Sequence, residues 1–297
     1  MKLANLIDKY YLSFDFKNLR EETKGQYQYF LNVLSDTKID DAQNLGSIKI
    51  SDITTKMAKV SYEMWCERGI HLANHVMSVS RVVYNFAIHM EHYRINPFTS
   101  IKRKTPVARK VVWTKDNVCT FLDYAYQDFH TRNIGLIAQM AYEWCQRLGD
   151  MRVIKWENLE LDKNKMHIEQ SKRRAEVFLP ISDSLCEMLT QQKEDYGFQQ
   201  YVAPYTKPSK GVYKPYSKHR LPKLARDIMN GAGLPVELRL SDLRRTGTTE
   251  MVDAGVSMGN IMAVTGHTNP QSVKPYMKNT LASANLALNL RKSLTDV

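Results

Sequence analysis

The chain has 297 residues, 43% hydrophobic and 25% charged, which suits two globular domains or one large one with a substantial core. That composition excludes a disordered, collagen-like or coiled-coil chain, and no uncharged apolar run approaches the ~18 residues needed to span a membrane. The 42 Lys and Arg against 31 Asp and Glu leave a net charge of +11, a balance that attracts polyanions, nucleic acid foremost among those inside a cell.

At the amino terminus, Asp8 interrupts the apolar residues too early for a signal-peptide core. Leu3, Leu6, Ile7, Tyr10 and Tyr11 recur at helical spacing. A second helical pattern runs from about Thr23 to Leu34. A third follows Asp52 with Met57, Val60, Met64 and Trp65, and a fourth runs from about His71 to Tyr93, stopping before Asn96-Pro97. Four helices in about 100 residues predict a small bundle over residues 1–101.

Next comes Lys102-Arg103-Lys104-Thr105-Pro106-Val107-Ala108-Arg109-Lys110, with no acidic residue and one proline. It reads as a basic linker over 102–112, able to lie along a phosphate backbone through Lys102, Arg103, Lys104, Arg109 and Lys110. From 113 to 297 the pattern is mixed. Thr114 and Asp116 predict a helix start, and another helix is expected from about Asn133 to Leu148. The period then changes. Val153-Ile154-Lys155-Trp156, Lys165-Met166-His167-Ile168 and Glu176-Val177-Phe178-Leu179 read as three short strands, with a turn at Asp162-Lys163-Asn164-Lys165. Helical pattern resumes near Ser182. Residues 207–226 form a basic stretch in which Lys214, Lys218 and Arg220 are candidate DNA contacts, with Tyr213 and Tyr216 between the charges and a helix starting at about His219. A last helix carries Leu286, Leu290 and Leu294 on one stripe. The fold class expected is mainly α with a small β-sheet.

Cys66, Cys119, Cys145 and Cys186 are spaced for neither a zinc site nor a disulfide framework, so a reduced, cytoplasmic protein is expected. The chain has no Gly-rich loop followed by Lys-Ser/Thr, no His-Glu-x-x-His and no acidic cluster of two-metal type. What remains is a dispersed basic set and one late tyrosine. Arg147 lies in Cys-Gln-Arg-Leu-Gly-Asp with Asp150 three residues on. Lys172 lies in Gln-Ser-Lys-Arg-Arg-Ala before the third strand. Arg244 lies in Leu-Ser-Asp-Leu-Arg-Arg-Thr. Gly266-His267 precedes Tyr276 by nine residues. Each alone also reads as a surface charge or a rim aromatic; the information is in the order and spacing of the whole set.

That set resembles the tyrosine recombinase family, the phage-type integrases. The family pattern is an arginine, a lysine in a β-turn, His-x-x-Arg, Gly-His, and a tyrosine nine residues later. Gln146-Arg147-Leu148-Gly149-Asp150 matches the first segment, Lys172 the hairpin lysine, Ser241-Asp242-Leu243-Arg244-Arg245-Thr246 the second box, and Gly266-His267 through Tyr276 the third. Ile95-Asn96-Pro97 looks like the end of the family's amino-terminal helical domain. Two positions depart from the pattern. Ser241 stands where the second box normally opens with His, and Trp144-Cys145-Gln146 precede the first arginine where Thr-Gly-x is common. The Ser241 departure removes a proton acceptor expected there.

The resemblance implies a SAM-like core-binding, DNA-binding domain followed by an α+β catalytic domain with a tail helix that docks on a neighbouring subunit. It implies site-specific recombination of double-stranded attachment sites, in integration and excision, through a 3′-phosphotyrosyl intermediate. A homotetramer on DNA is implied, with a directionality factor or a host DNA-bending protein as further partners, in the host cytoplasm or nucleoid if the gene is phage-borne. No metal or other cofactor is implied. Tyr276 is then the nucleophile, Arg147 and Arg244 the phosphate clamp, Lys172 the proton donor and His267 a phosphate ligand. Ser241 would be a helper or helix cap, and Asp150 would orient a cation. Elementary chemistry agrees: metal-free phosphodiester cleavage needs fixed cations on the non-bridging oxygens, and arginine binds phosphate bidentately without losing its charge. A tyrosyl ester conserves the bond energy for rejoining. The alternatives are a type IB topoisomerase, which shares this logic, and a catalytically weak DNA-binding protein on the same fold. No segment is expected ahead of the bundle for binding distant arm sites.

Overall fold

In the computed structural model, residues 1–172, 174–277 and 281–295 are described. The chain forms two compact units, Met1–Arg109 and Lys110–Val297, dividing within the basic stretch. It is mainly helical, with one small antiparallel sheet.

The first unit contains α1 (Leu3–Leu12), α2 (Phe14–Lys17), α3 (Glu21–Ser35), α4 (Thr55–Arg68) and α5 (Ile70–His89). Helix α1 buries Leu3, Leu6, Ile7 and Tyr10, the stripe that its sequence spacing predicts. Ser13 ends α1 and caps the short α2, its Oγ accepting from Phe16 N at 3.2 Å. Only Gly69, at φ 140°, separates α4 from α5, a conformation that a side chain would strain. Helix α5 stops at His89 rather than near Tyr93. Glu91 adopts a left-handed conformation, and His92 N–H returns to Ala87 O at 2.9 Å, closing the last turn. Trp65, Tyr84 and Phe98 fill the core. The Arg81 guanidinium donates to the carbonyls of Phe98 and Ile101, at 3.0 and 2.6 Å, and so fastens the segment after α5 to the bundle.

The second unit contains α6 (Lys115–Tyr126), α7 (Phe129–Glu143), α8 (Leu148–Met151), β1 (Leu159–Glu160), β2 (Lys165–Glu169), β3 (Glu176–Pro180), α9 (Asp183–Tyr196), α10 (Arg220–Gly231), α11 (Leu243–Asp253), α12 (Met258–Thr265) and α13 (Leu281–Thr295). Thr114 caps α6, accepting from Asn117 N at 3.2 Å. Helix α7 begins four residues before the expected Asn133, because Asp128 Oδ1 caps it through His130 N at 2.6 Å. Every residue of α7 from Asn133 to Ala141 is buried, so this helix is the axis of the unit. Trp113 anchors the start of the unit: its N–H donates to Thr246 Oγ1 at 3.0 Å and its indole N–H to Arg239 O at 3.1 Å.

The sheet has the order β1-β2-β3, and His167 pairs with Phe178. Met166, Ile168, Val177 and Leu179 face the core, while His167 and Phe178 stack on the open face with ring centroids 4.2 Å apart. The first strand is not Val153-Ile154-Lys155-Trp156. Those residues pair instead with the segment after α9, where Val202 N–H donates to Ile154 O and Trp156 N–H to Gln200 O, both at 3.0 Å. Strand β1 is Leu159–Glu160, which follows a 3-10 turn at Trp156–Asn158. Between β1 and β2 the chain turns through a 3-10 turn at Leu161–Lys163 and a left-handed Asn164, at the expected place.

Candidate active site

Arg147 precedes α8 in extended conformation, and its carbonyl accepts from Asp150 N at 2.9 Å and Met151 N at 3.1 Å. The carbonyl starts the short helix and leaves the side chain projecting from a fixed backbone. Its Nη1 donates to Gln170 Oε1 at 2.6 Å and lies 3.9 Å from Asp150 Oδ2. Asp150 is buried, and its Oδ1 accepts from Ser171 N at 3.2 Å. One carboxylate thus lies beside Arg147 and holds the turn that carries Lys172.

Lys172 is exposed in the turn between β2 and β3. The turn closes through Gln170 N–H to Ala175 O and Arg174 N–H to Gln170 O, both at 2.9 Å, with Arg174 in a left-handed conformation.

Arg244 stands in the first turn of α11. Its Nη2 donates to Thr265 O at 2.8 Å and lies 3.2 Å from His267 Nε2, while Nη1 is buried without a hydrogen-bond partner. Burial, and then the charge of nearby Arg147, push the Arg244 guanidinium down to about 10, against the opposing pull of Tyr276, Cys145 and Asp150. It remains a cation at neutral pH, held in a place that an anion would stabilise.

His267 is buried just past α12, where Gly266 at φ 66° turns the chain. A Cβ on Gly266 would lie 2.5 Å from Gln170 Nε2, so both the conformation and the close approach require glycine here. Tyr276 closes a 3-10 turn, Lys274–Tyr276, and is half-buried. Its ring centroid is 6.2 Å from that of His267, and the Arg245 guanidinium carbon lies 5.2 Å from it on the ring face.

Arg147, Arg244, His267 and Tyr276, 129 positions apart at their extremes, therefore share one neighbourhood, with the Lys172 turn tied to it through Gln170 and Ser171. Ser241 is exposed in the turn before α11 and caps nothing there. Asp242 does the capping, its Oδ2 accepting from Arg239 N at 3.0 Å, because a carboxylate reaches back to that amide. The cap expected of Ser241 is thereby corrected.

The basic residues are distributed over both units. Lys102, Arg103 and Lys104 belong to the first. There Arg103 Nη1 donates to Ser78 Oγ at 2.9 Å, Lys104 N to Tyr62 OH at 2.6 Å, and Asn74 Nδ2 to Lys104 O at 2.8 Å. Arg109 ends that unit and Lys110 begins the next. Lys214, Lys218 and Arg220 are exposed on the second unit, and Arg220 lies over the Tyr205 ring at 4.7 Å. Tyr216, read among the surface charges, is a core residue. Of the tail stripe, Leu290 is exposed; the side chains of Leu286 and Leu294 lie outside the described residues. Among the described residues, no group of three His, Cys, Asp or Glu is arranged to hold a metal ion, and no helix is long and apolar enough to cross a membrane.

Sequence reasoning missed the buried polar residues behind this site, Gln170 and Thr265, and read Gln146 only as a neighbour of Arg147. The available signal was position: Gln146 directly precedes Arg147, Gln170 lies two residues before Lys172, and Thr265 two before His267.

The family model described as the phage integrase family matches residues 111–282. No curated protein matches the chain. Among solved structures, a lambda integrase dimer bound to a COC′ core site is similar over 94% of this chain and 78% of that one, with 18% identity and a TM-score of 0.76. A lambda integrase tetramer bound to a Holliday junction matches with the same figures. The Tn1549 transposon integrase in complex with a circular intermediate DNA is similar over 97% of this chain and 99% of that one, with 15% identity and a TM-score of 0.76. At these identities the likeness is one of fold.

Proposed function

We propose, from the premise that this chain belongs to the phage integrase family and is a tyrosine recombinase, that it cuts and rejoins double-stranded DNA at attachment sites for integration and excision. The observation that carries this reading is the convergence of Arg147, Arg244 and His267 beside Tyr276, with a buried guanidinium N–H of Arg244 left for an acceptor. A phosphodiester supplies that acceptor and the negative charge that offsets the desolvation of Arg244.

In the reaction, Tyr276 Oη attacks phosphorus and the DNA 5′ oxygen leaves. A 3′-phosphotyrosyl bond replaces the phosphodiester, the tyrosine proton passes to a base, and the 5′ oxygen takes a proton from Lys172. Reversal by the 5′ hydroxyl of another strand rejoins DNA without external energy. Arg147 and Arg244 neutralise the two non-bridging oxygens as charge builds. Lys172 suits the donor role because its turn is exposed while its base is held by Gln170 and Asp150. His267 hydrogen-bonds the phosphate.

The first unit serves as the core-binding domain. Lys102, Arg103, Lys104, Arg109, Lys110, Lys214, Lys218 and Arg220 contact backbone phosphates, so affinity falls with salt. Four copies exchange strands on DNA, the tail helix of each docking on its neighbour, with a directionality factor or DNA-bending protein as further partners.

The test is a duplex nicked near the cleavage position of its attachment site, so that the short 5′-hydroxyl fragment diffuses away and the covalent intermediate accumulates. An adduct mapped to Tyr276 supports the reading. DNA binding with no adduct supports the second reading, a catalytically weak DNA-binding protein, which Ser241 favours. Relaxation of supercoils by a monomer without recombinants would identify a topoisomerase.

A further inference from the structure

The side chains behind the site form a hydrogen-bond relay with only one consistent polarity. Gln146 Nε2 donates to two backbone carbonyls, Trp144 O at 2.8 Å and Val264 O at 2.7 Å. Both partners are acceptors only, so Gln146 must turn its Oε1 the other way, toward Gln170. Gln170 Nε2 donates to that oxygen at 2.6 Å and to Thr265 O at 2.9 Å. Both amide hydrogens of Gln170 are then committed, and its Oε1 can face only Arg147, whose Nη1 lies 2.6 Å away. Thr265 O also accepts from Arg244 Nη2 at 2.8 Å. Gln146, Gln170 and Thr265 are buried to within 0% exposure. In such a setting an amide flip would leave donors facing donors and acceptors facing acceptors, away from solvent that could repair the mismatch.

Three chain segments meet here: the approach to α8, the end of β2 and the carboxyl end of α12. The last is open to side-chain donors because Gly266 turns the backbone away from the helix. The absence of a Cβ at Gly266 gives Gln170 its place.

We infer that Gln170 is a positioning residue for strand cleavage: its carboxamide, oriented by Gln146 and Thr265 O, fixes the Arg147 guanidinium and ties it to the anchor that holds Arg244 and to the base of the Lys172 turn. The inference rests on the reading that Arg147 binds the scissile phosphate. A neutral acceptor suits this role better than a carboxylate. It orients the guanidinium without adding a second negative charge to that of Asp150, 3.9 Å away, whereas a glutamate would offset more of the charge meant for the phosphate.

The test is single-turnover cleavage of the nicked duplex at saturating protein, with DNA affinity and melting temperature measured alongside. Gln170→Met removes the polar atoms at nearly constant size. Its cleavage rate is expected to fall on the order of 10- to 100-fold, the scale of a mispositioned group, with DNA affinity within about twofold. In an Arg147→Ala background the same change is expected to cost less than about threefold, because residues that act as one unit are not additive. A wild-type rate for Gln170→Met, or an equal loss with and without Arg147, would overturn the proposal. Should Gln170→Met not fold, Gln170→Glu keeps the size and an acceptor for Arg147. It is expected to lose at least as much rate, and a Gln170→Glu enzyme cleaving like wild type would overturn the proposal. Absence of any Tyr276 adduct in the unmutated protein would overturn the underlying recombinase reading instead.

Discussion

Thr265 Oγ1 lies 2.7 Å from His267 Nδ1 and gives its own proton to Ile261 O at 2.6 Å. The hydroxyl can therefore only accept from the ring, so donor counting assigns the imidazole proton to Nδ1 and leaves the Nε2 lone pair facing Arg244 at 3.2 Å. A neutral imidazole in this tautomer tolerates the adjacent guanidinium and presents a basic nitrogen to the site. In the proposed reaction Arg244 turns to the phosphate, and Nε2, once it has taken up a proton, can hydrogen-bond that phosphate as well.

The nucleophile is tested first. Tyr276→Phe keeps the ring that packs beside His267 and Arg245 and removes only the hydroxyl, so folding and DNA affinity are expected to be unchanged while the covalent adduct disappears. Gel detection of protein–DNA conjugates, with peptide mapping, checks this. A persistent adduct on another tyrosine would sink the assignment.

The two arginines are expected to differ in their effect on stability. Either Arg147→Ala or Arg244→Met should slow cleavage by ~10²–10³-fold, by analogy with the loss of one oxyanion donor. Burial pushes Arg244 down to about 10 from its ordinary 12.5, so the fold works against its charged form. At neutral pH both folded and unfolded chains carry that charge, and the penalty is fully present. Arg244→Met should thus melt at or above the wild-type temperature, as at other sites where function is bought with stability. A clear fall in melting temperature with cleavage intact would contradict both roles.

Ser241 stands where the family pattern has a proton acceptor. Exposed and capping nothing, it is expected to tolerate Ser241→Ala with little loss. General-base help is worth ~10²–10⁴-fold, so the unmutated enzyme should cleave slowly and Ser241→His should speed the step. Single-turnover rates at several pH values check this. A Ser241→Ala loss as large as that from losing Arg244 would make the serine essential, and no gain from Ser241→His would mean that His267 or water already serves as the base.

Cys145 adjoins the Gln146–Arg147 segment, buried and at a φ of 49°. Burial pushes its thiol up to about 12 from an ordinary 9.0. The folded state therefore holds this proton more tightly than the unfolded one. The associated stability is complete below pH 9 and is lost as pH rises from 9 toward 12. Exposed Cys119 is expected to be alkylated by iodoacetamide at about pH 8 while Cys145 is spared until the chain unfolds, because only the thiolate reacts. Mass-spectrometric labelling that finds the two modified at equal rates would refute this.

The local sequence determined a good deal. Helical spacing located α1, α3, α4 and α5, Thr114 marked the start of α6, and alternation located β2 and β3, because these signals reside in neighbouring residues and in the burial of one face. The order Arg147, Lys172, Arg244, His267, Tyr276 was likewise visible as spacing along the chain. Two local readings failed where partners were distant. Val153-Ile154-Lys155-Trp156 looks like a strand, but its hydrogen bonds go to Gln200 and Val202. Tyr216 looks like a surface aromatic among lysines, but it fills the core. Only the tertiary structure decided how the two arginines are held. The relay from Trp144 O and Val264 O through Gln146 and Gln170 to Arg147 joins residues up to 118 positions apart. The direction of each amide follows from acceptors that become neighbours only once the carboxyl end of α12 meets Gln170, just past β2. A glutamine's orientation is set by what surrounds it in space, and no periodicity along the chain encodes that.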